Sequence, residues 1–303
     1  MGWLKDKIKG DIYENHNFLI REDHLFFYIK LKILEYLKFL KNIKYSYAHE
    51  LKLTKLLRDK YKGLNAFVFA NGPSLNILNM EKIKNYQENY NYKIICVSSY
   101  ILSEKSKIIK PDFYLLSDPA FFQFQDNIGD EKKEEIKRVI SRLNKLEIET
   151  FIPIQYKNMC NLKKIFYFND YEYRFNKNII DITKPRSYIS MTAYKAIAMA
   201  LYLCFDKIFI CGFDNDYFKS LLVNKTNEMF YQNEHFFKQS DSSIIKINKE
   251  EAKNISELLY SHSFLFSDLY RFPKNKIINL NPNSLIDAFD KNHDLDVYYM
   301  NRL

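Results

Sequence analysis

The chain has 303 residues, of which 47% are hydrophobic and 17% aromatic, so a packed core is expected rather than a disordered chain. This length suits one large α/β domain, or one domain with an extension. The net charge of +9 is uneven, because residues 1–62 carry 14 Lys or Arg against 8 Asp or Glu. Such a basic segment indicates either an anionic partner or a solvated helical face, and the sequence leaves both open.

The cysteines and the lengths of the apolar runs indicate the cellular compartment of the protein. The four cysteines lie far apart without a CxxC pair, which predicts free thiols in a reducing compartment and no metal site. The first residues are too charged for a signal peptide, and no apolar run approaches the ~20 residues that span a bilayer. We therefore expect a cytoplasmic protein, with peripheral attachment to the inner membrane as one use of the basic segment.

A helical extension is predicted at the N-terminus, over residues 1–62. Residues 24–61 are rich in lysine and apolar residues and predict one or two helices. Four of the lysines fall within one broad arc of a helix, but Leu34 and Leu37 fall there too, so the amphipathic pattern is imperfect. A membrane surface, the rest of the chain and a second subunit are all possible packing partners.

From residue 65 onward, short apolar runs alternate with helix-like segments such as 130–146 and 190–204. This alternation predicts an α/β fold over 63–303, with a Rossmann-like, mostly parallel sheet and helices on both faces. The seven apolar runs are AFVFA (66–70), KIICVSS (93–99), DFYLLSD (112–118), TFIPI (150–154), KIFYF (164–168), KIFICGFD (207–214) and KIINLNP (276–282).

The residues that follow these runs indicate where a ligand binds, because ligands of parallel α/β sheets lie at the carboxyl ends of the strands. In FVFANGPSL, a strand is followed by a tight turn and by Ser74, a good helix N-cap, so backbone N–H groups could meet a phosphate there. No GxGxxG, GxxxxGK[ST] or GxSxG motif occurs, which disfavours dinucleotide-binding, P-loop and hydrolase functions. Residues 215–250 look irregular and polar and are a candidate lid.

Three stretches resemble, in order, elements of the bacterial lipooligosaccharide sialyltransferases of glycosyltransferase family 42: FVFANGPSL (67–75), CGFDNDYF (211–218) and LNPNSL (280–285). The resemblance covers about residues 65–290. The NGPSL element is shared by a second branch of the superfamily, which resembles 6-hydroxymethylpterin diphosphokinase (domain of unknown function 115). The resemblance implies a GT-A-like variant of the Rossmann-like fold and a homo-oligomeric enzyme.

The resemblance also implies where a nucleotide would bind. Asn71 matches the first asparagine that holds the nucleotide in the sialyltransferases, whereas Ser98 and Asp118 stand where the next two asparagines are expected. A carboxylate repels a phosphate unless a cation intervenes, so Asp118 raises the possibility of Mg²⁺ in a family that requires no cofactor. The complete predicted nucleotide-binding set is Asn71, Gly72, Pro73, Ser74, Ser98, Ser99, Asp118, Ser190, Thr192, Asn283 and Ser284.

A histidine general base is implied for an inverting transferase, because its pKa lies near working pH. Of the six histidines, His235 is the candidate, since it lies in the polar segment after the GFD strand. Tyr217 is the candidate that assists the departing phosphate. Asp214 could hold a sugar hydroxyl, orient His235 or ligate a metal, although Asp also favours turns.

Three further residues are predicted to bind substrate. Arg186 precedes a predicted helix and could pair with a donor phosphate or an acceptor carboxylate, or lie on the surface as an ordinary arginine. Asp216 shares the alternatives of Asp214, and Tyr231 could reach a phosphate oxygen.

The predicted function is transfer of sialic acid or a related nonulosonic acid from a CMP-activated donor to a hydroxyl of a surface glycan or glycolipid. The alternative is a Mg²⁺-dependent ATP diphosphokinase, with Asp118, Asp214 and Asp216 as metal ligands. A nucleic-acid partner is not expected, since no such motif appears and the basic residues are concentrated outside the α/β domain.

Overall fold

A computed structural model describes residues 25–122, 129–233, 243–247, 252 and 254–291. The helices are α1 (Leu25–Asn42), α2 (Leu51–Leu56), α3 (Met80–Asn89), α4 (Lys105–Ile108), α5 (Asp130–Leu146), α6 (Thr192–Tyr202) and α7 (Ile255–Leu269). The strands are β1 (Ala66–Phe69), β2 (Lys93–Val97), β3 (Phe113–Leu115), β4 (Glu149–Pro153), β5 (Ile165–Phe168), β6 (Ile208–Cys211), β7 (Leu222–Val223), β8 (Met229–Asn233), β9 (Ser243–Lys246) and β10 (Ile277–Asn279).

Seven strands form one sheet in the order β10-β6-β1-β2-β3-β4-β5, and each neighbouring pair is parallel. Each of these seven strands overlaps one of the seven predicted apolar runs, so the α/β fold predicted from the sequence is confirmed. The chain builds the sheet outward from β1 to β5 and then returns to add β6 and β10 on the other side of β1. Ligands of such sheets usually bind at the carboxyl ends of the strands next to such a reversal, which here lies between β1 and β6.

Helices cover both faces of the sheet, which explains why the strands are apolar on both sides. On one face lies α6, in which every residue from 193 to 202 is buried and which contacts β1, β2 and β6. On the other face, α5 buries Ile136, Val139 and Leu143, spaced as one side of a helix. Successive β1 side chains divide between the two layers, with Phe67 and Phe69 on the α5 side.

The described part of the N-terminal extension packs on the β5 edge of the sheet. Leu51 and Thr54 of α2 are buried, and the Thr54 hydroxyl donates to the Tyr167 carbonyl oxygen at 2.6 Å. The ring of Phe39 in α1 stacks on Tyr173, with ring centroids 4.8 Å apart. The described part of the extension therefore packs on the chain's own domain, one of the partners that the sequence left open. The domain boundary at residue 62 stays a prediction.

All four cysteines are free thiols. Through the described ranges, the helices are either too short or too polar to cross a bilayer.

Two local predictions were wrong. Ser74 does not cap an α-helix, because Pro73–Ile77 form a 3-10 turn and α3 begins only at Met80. The cap is Asn79, whose side-chain oxygen accepts a hydrogen bond from the Lys82 N–H at 3.2 Å. The proline pre-sets the backbone angle of a turn, but the extended backbone at Leu78 then separates this turn from α3.

The candidate lid over 215–250 is less irregular than predicted. Its described part contains a 3-10 turn, Tyr217–Ser220, and an antiparallel sheet of β7, β8 and β9. The β7–β8 connection is a turn in which Asn227 has a positive φ of 58° and the Asn224 N–H donates to the Glu228 carbonyl at 3.0 Å. Strands this short leave too little alternation in the sequence to be recognised.

Candidate functional site

The turns after β1 and β6 lie in direct backbone contact where the strand order reverses. The strand pairing continues past the strands, because the Gly72 N–H donates to the Gly212 carbonyl at 3.0 Å. A Cβ on Gly72 would lie 1.9 Å from Asp214 Oδ2, and a Cβ on Gly212 would lie 2.3 Å from the Ala70 carbonyl oxygen. Gly212 also has a φ of +77°, in the left-handed region that favours glycine. Both turns therefore require glycine at these positions.

Asp214 joins three strand ends. Its Oδ2 accepts from the Ser74 N–H at 3.1 Å, and its Oδ1 accepts from Asn281 Nδ2, beyond β10, at 3.0 Å. The Ser74 hydroxyl oxygen in turn accepts from the Gly212 N–H at 3.1 Å. Burial raises the pKa of Asp214, and this effect outweighs the hydrogen bonds, which favour the charged form. Asp214 thus links the turns that follow β1, β6 and β10, and its predicted catalytic role stays a prediction.

Asn71 and Ser98, at the ends of the neighbouring strands β1 and β2, show two features that often mark ligand sites. The Asn71 Oδ1 atom is buried and has no hydrogen-bond partner in the described part of the chain. An unsatisfied buried acceptor costs free energy unless a ligand or water pairs with it. Ser98 has a positive φ of 52°, a strained conformation held in place by the Tyr114 hydroxyl, which donates to the Ser98 carbonyl at 2.8 Å.

The other predicted residues on this side of β1 line the same carboxyl edge. The buried Ser99 hydroxyl donates to Glu135 of α5. The Ser117 hydroxyl, after β3, lies 2.8 Å from that of Thr192, the first residue of α6. Ser190 is exposed just before that helix. Asp118 is exposed and caps a 3-10 turn, since its Oδ1 accepts from the Ala120 N–H at 2.9 Å.

Beyond β10, the LNPNSL stretch folds into a turn. Asn281 Oδ1 accepts from the Asn283 N–H at 3.0 Å, and the Ser284 hydroxyl oxygen accepts from the Ile286 N–H at 3.1 Å. Ser284 is buried, whereas Asn283 is exposed and could contact a ligand.

Of the candidates in the lid segment, only some lie within the described residues. Asp216 Oδ2 lies 3.2 Å from the Lys219 ammonium nitrogen. Tyr231 lies in β8 and packs against a small apolar cluster. His235 and the side chain of Tyr217 lie outside the described residues, so their predicted roles stay predictions.

Arg186 is 6% exposed. It lies in a buried network of ion pairs behind the carboxyl edge of the sheet rather than at an open surface. Its Nε atom lies 2.9 Å from Asp170 Oδ1, and its Nη2 atom lies 3.5 Å from Glu172 Oε2. The other Asp170 oxygen, Oδ2, lies 2.5 Å from Lys195 Nζ. A substrate contact by Arg186 would require these bonds to rearrange.

Asp170 and Lys195 were missed by the sequence analysis. Asp170 follows β5 just as the other candidates follow their strands, so the strand-end rule could have identified it. Lys195 is the one charged residue in the α6 sequence, and it is 2% exposed. Burial lowers its pKa, while the Asp170 carboxylate opposes that shift.

Within the described ranges, no group of three or more His, Cys, Asp or Glu side chains is arranged to hold a metal. Burial raises the pKa of Cys211, at the end of β6, to about 12, so this thiol remains protonated at neutral pH and behaves as an apolar side chain.

The parallel sheet, with its reversal of strand order and its polar carboxyl edge, defines a Rossmann-like α/β protein. A family-wide profile described as 6-hydroxymethylpterin diphosphokinase MptE-like matches residues 37–220. That match covers more than half of the chain, which therefore belongs to the MptE-like family. The resemblance to the pterin-kinase-like branch is thereby confirmed.

Two solved structures are similar to this chain. One is the MAf glycosyltransferase from Magnetospirillum magneticum AMB-1, at 12% identity and a TM-score of 0.43, covering 82% of this chain and 39% of the other. The other is the sialyltransferase CstII from Campylobacter jejuni, in complex with a substrate analogue, cytidine-5'-monophosphate, at 17% identity and a TM-score of 0.35, covering 80% of this chain and 91% of the other. This chain therefore spans well under half of the MAf glycosyltransferase chain. No curated protein sequence matches it.

Gly72→Ala should reduce the free energy of unfolding by about 1–3 kcal/mol, because the added methyl group overlaps Asp214 Oδ2 and the Gly212 carbonyl oxygen. Gly129→Ala is the matched control, since nothing lies within 4 Å of its added Cβ, and should cost less than about 1 kcal/mol. Urea unfolding of both variants measures the difference. Equal losses would contradict the close approach of the two turns.

Asp214 should make stability depend on pH. Its pKa is raised in the folded state, so above the ordinary aspartate value of about 4 the folded protein binds more protons than the unfolded chain. The free energy of unfolding should therefore fall as the pH rises from about 4 through the raised pKa, relative to Asp214→Asn, which does not titrate there. Urea unfolding at a series of pH values tests this, and a difference between the proteins that grows in favour of the wild type would contradict it.

Proposed function

We propose that the protein is a nucleotide-dependent transferase that binds the nucleotide of an activated sugar at the carboxyl ends of β1 and β2. The unpartnered Asn71 Oδ1 carries this proposal. A nucleotide base or ribose offers N–H or O–H donors that would satisfy this acceptor. The strained Ser98 on the next strand supports the same location, because strained backbone clusters at ligand sites.

The donor phosphate would lie toward the N-terminus of α6, where free N–H groups and the helix dipole favour an anion. The hydroxyl of Thr192 belongs to this end of the helix, and the exposed Ser190 precedes it. The proposed donor is CMP-linked sialic acid or a related nonulosonic acid, and the acceptor is a glycan or glycolipid hydroxyl. In this proposal His235 takes the proton from that hydroxyl as the bond from sugar to phosphate breaks.

A second candidate function is Mg²⁺-dependent transfer of diphosphate from ATP. The family description favours it, because a diphosphokinase is the activity for which the family is named. Asp118 suits this chemistry, since it is exposed and only its Oδ1 is used to cap a turn. Mg²⁺ is typically held by one or two carboxylates together with substrate phosphates, and it would neutralise the phosphate charge.

A nucleotide that binds this site should raise the melting temperature by mass action. The test is a thermal-shift screen of CMP, CDP, UMP, UDP, GDP and ATP, each with Mg²⁺ and with EDTA. At 100 times its Kd, a bound nucleotide stabilises the fold by about 2.7 kcal/mol. Asn71→Ala should abolish the shift, whereas Asn89→Ala, an exposed asparagine at the C-terminal end of α3, should retain it.

The outcomes of this screen separate the two functions. Stabilisation by CMP or CDP in EDTA supports glycosyl transfer, and stabilisation by ATP with Mg²⁺ alone supports the diphosphokinase. Failure of every nucleotide, or an unchanged shift in Asn71→Ala, would contradict the proposed site.

His235→Ala should lower kcat by about 10²–10⁴-fold, the usual contribution of a general base, while the nucleotide-induced shift remains. The measurement is CMP release from CMP-sialic acid with a lipooligosaccharide acceptor. His49→Ala, an exposed histidine before α2, is the control and should keep wild-type kcat. Full activity of His235→Ala would show that another residue is the base.

A further inference from the structure

The outer side of α1 carries a row of large apolar side chains. Ile29, Ile33, Tyr36, Leu37 and Leu40 are each between 43% and 54% exposed. At 100° per residue they fall within about 100° of one another around the helix axis, so they lie along one side of the helix. We name this row the α1 stripe. Isolated exposed apolar residues are ordinary, whereas an ordered row of five on one helix indicates an interaction surface.

The stripe does not face the domain, because α1 docks through another side. Phe39 stacks on Tyr173, and the Lys32 ammonium lies 5.7 Å from the centroid of the Phe175 ring. The loop that carries both rings is fixed in turn, since the Tyr173 N–H donates to the Arg186 carbonyl at 2.8 Å. The helix is thus anchored to the β5 edge of the domain while the stripe points outward.

The segment that carries the stripe is basic. Residues 25–62 contain 10 Lys or Arg but only 3 Asp or Glu. Lys41 is exposed on α1 beside the stripe, and Lys52 and Lys55 are exposed on α2. Apolar side chains next to lysines are typical of helices that lie in the surface of an anionic membrane.

We propose that the α1 stripe inserts into the surface of an anionic membrane, with the neighbouring lysines against the lipid headgroups. Charge complementarity selects this partner over a second copy of the chain, because two copies joined by their stripes would bring their lysines together. The proposal is independent of the reaction that the protein catalyses. The proposal places the membrane surface next to the β5 edge of the sheet.

Vesicle co-sedimentation of the full chain tests this proposal. The wild type should bind vesicles of phosphatidylcholine mixed with phosphatidylglycerol at least about tenfold more tightly than phosphatidylcholine alone, and high salt should weaken binding. Ile33→Gln/Leu37→Gln removes two members of the stripe without changing charge and should bind at least about tenfold more weakly. The matched control is Leu222→Gln/Ile244→Gln, on the small antiparallel sheet, where these residues are 56% and 64% exposed. It should bind as the wild type does.

Several results would overturn the proposal: no binding to anionic vesicles, equal binding to neutral ones, or wild-type binding by the stripe variant. Circular dichroism and size-exclusion chromatography with light scattering accompany the assay, so a folding defect or a change of oligomeric state is detected. A wild-type dimer that the stripe variant splits, without vesicle binding, would assign the stripe to contact between copies instead. If the double variant unfolds, Leu37→Gln alone replaces it with the same expected direction.

Discussion

The contact between the turns after β1 and β6 determines the arrangement of the candidate site. The two backbones meet at a distance that only glycine allows at Gly72 and Gly212. Asp214 stabilises this approach by accepting hydrogen bonds from the ends of two other segments, at Ser74 and Asn281. Because the contact lies where the strand order reverses, it also sets the position of Asn71, the residue with the unsatisfied acceptor.

Burying the Asp214 carboxylate costs free energy of desolvation, and its hydrogen bonds reduce that cost. Removing Asp214 from water disfavours its charged form, and the donors around it favour that form. Farther along the carboxyl edge of the sheet, the Asp170 carboxylate lies between the Arg186 guanidinium and the Lys195 ammonium. Removing one partner from such a buried network leaves an unpaired charge and lowers the free energy of unfolding. These ion pairs therefore hold the segment before α6 in a defined place. Some polar groups at the carboxyl edge of the sheet therefore stabilise the fold, while others are candidates for ligand contact.

The β5 end of the sheet connects this edge to the N-terminal extension. Asp170 follows β5, and the next residues form the loop on which α1 docks through Tyr173. A membrane-bound α1 would hold the domain at a fixed orientation to the lipid surface. For a transferase with a glycolipid acceptor, such an orientation would keep donor and acceptor near the same plane, which links the proposed membrane surface to the proposed reaction.

Much of the fold could be predicted from the sequence, because parallel strands buried on both faces leave continuous apolar runs and α5 shows a clear helical period. The polar strand ends followed from the same pattern, as did their convergence on one edge. The tertiary structure alone decided which of these residues pair with each other. Asp214, Ser74 and Asn281 meet over long sequence separations, Arg186 proved to be buried against Asp170, and Ser74 lies in a 3-10 turn. Local pattern carries the periodicity of each element, whereas hydrogen-bond partners and burial depend on contacts between distant segments, which no short stretch of sequence contains.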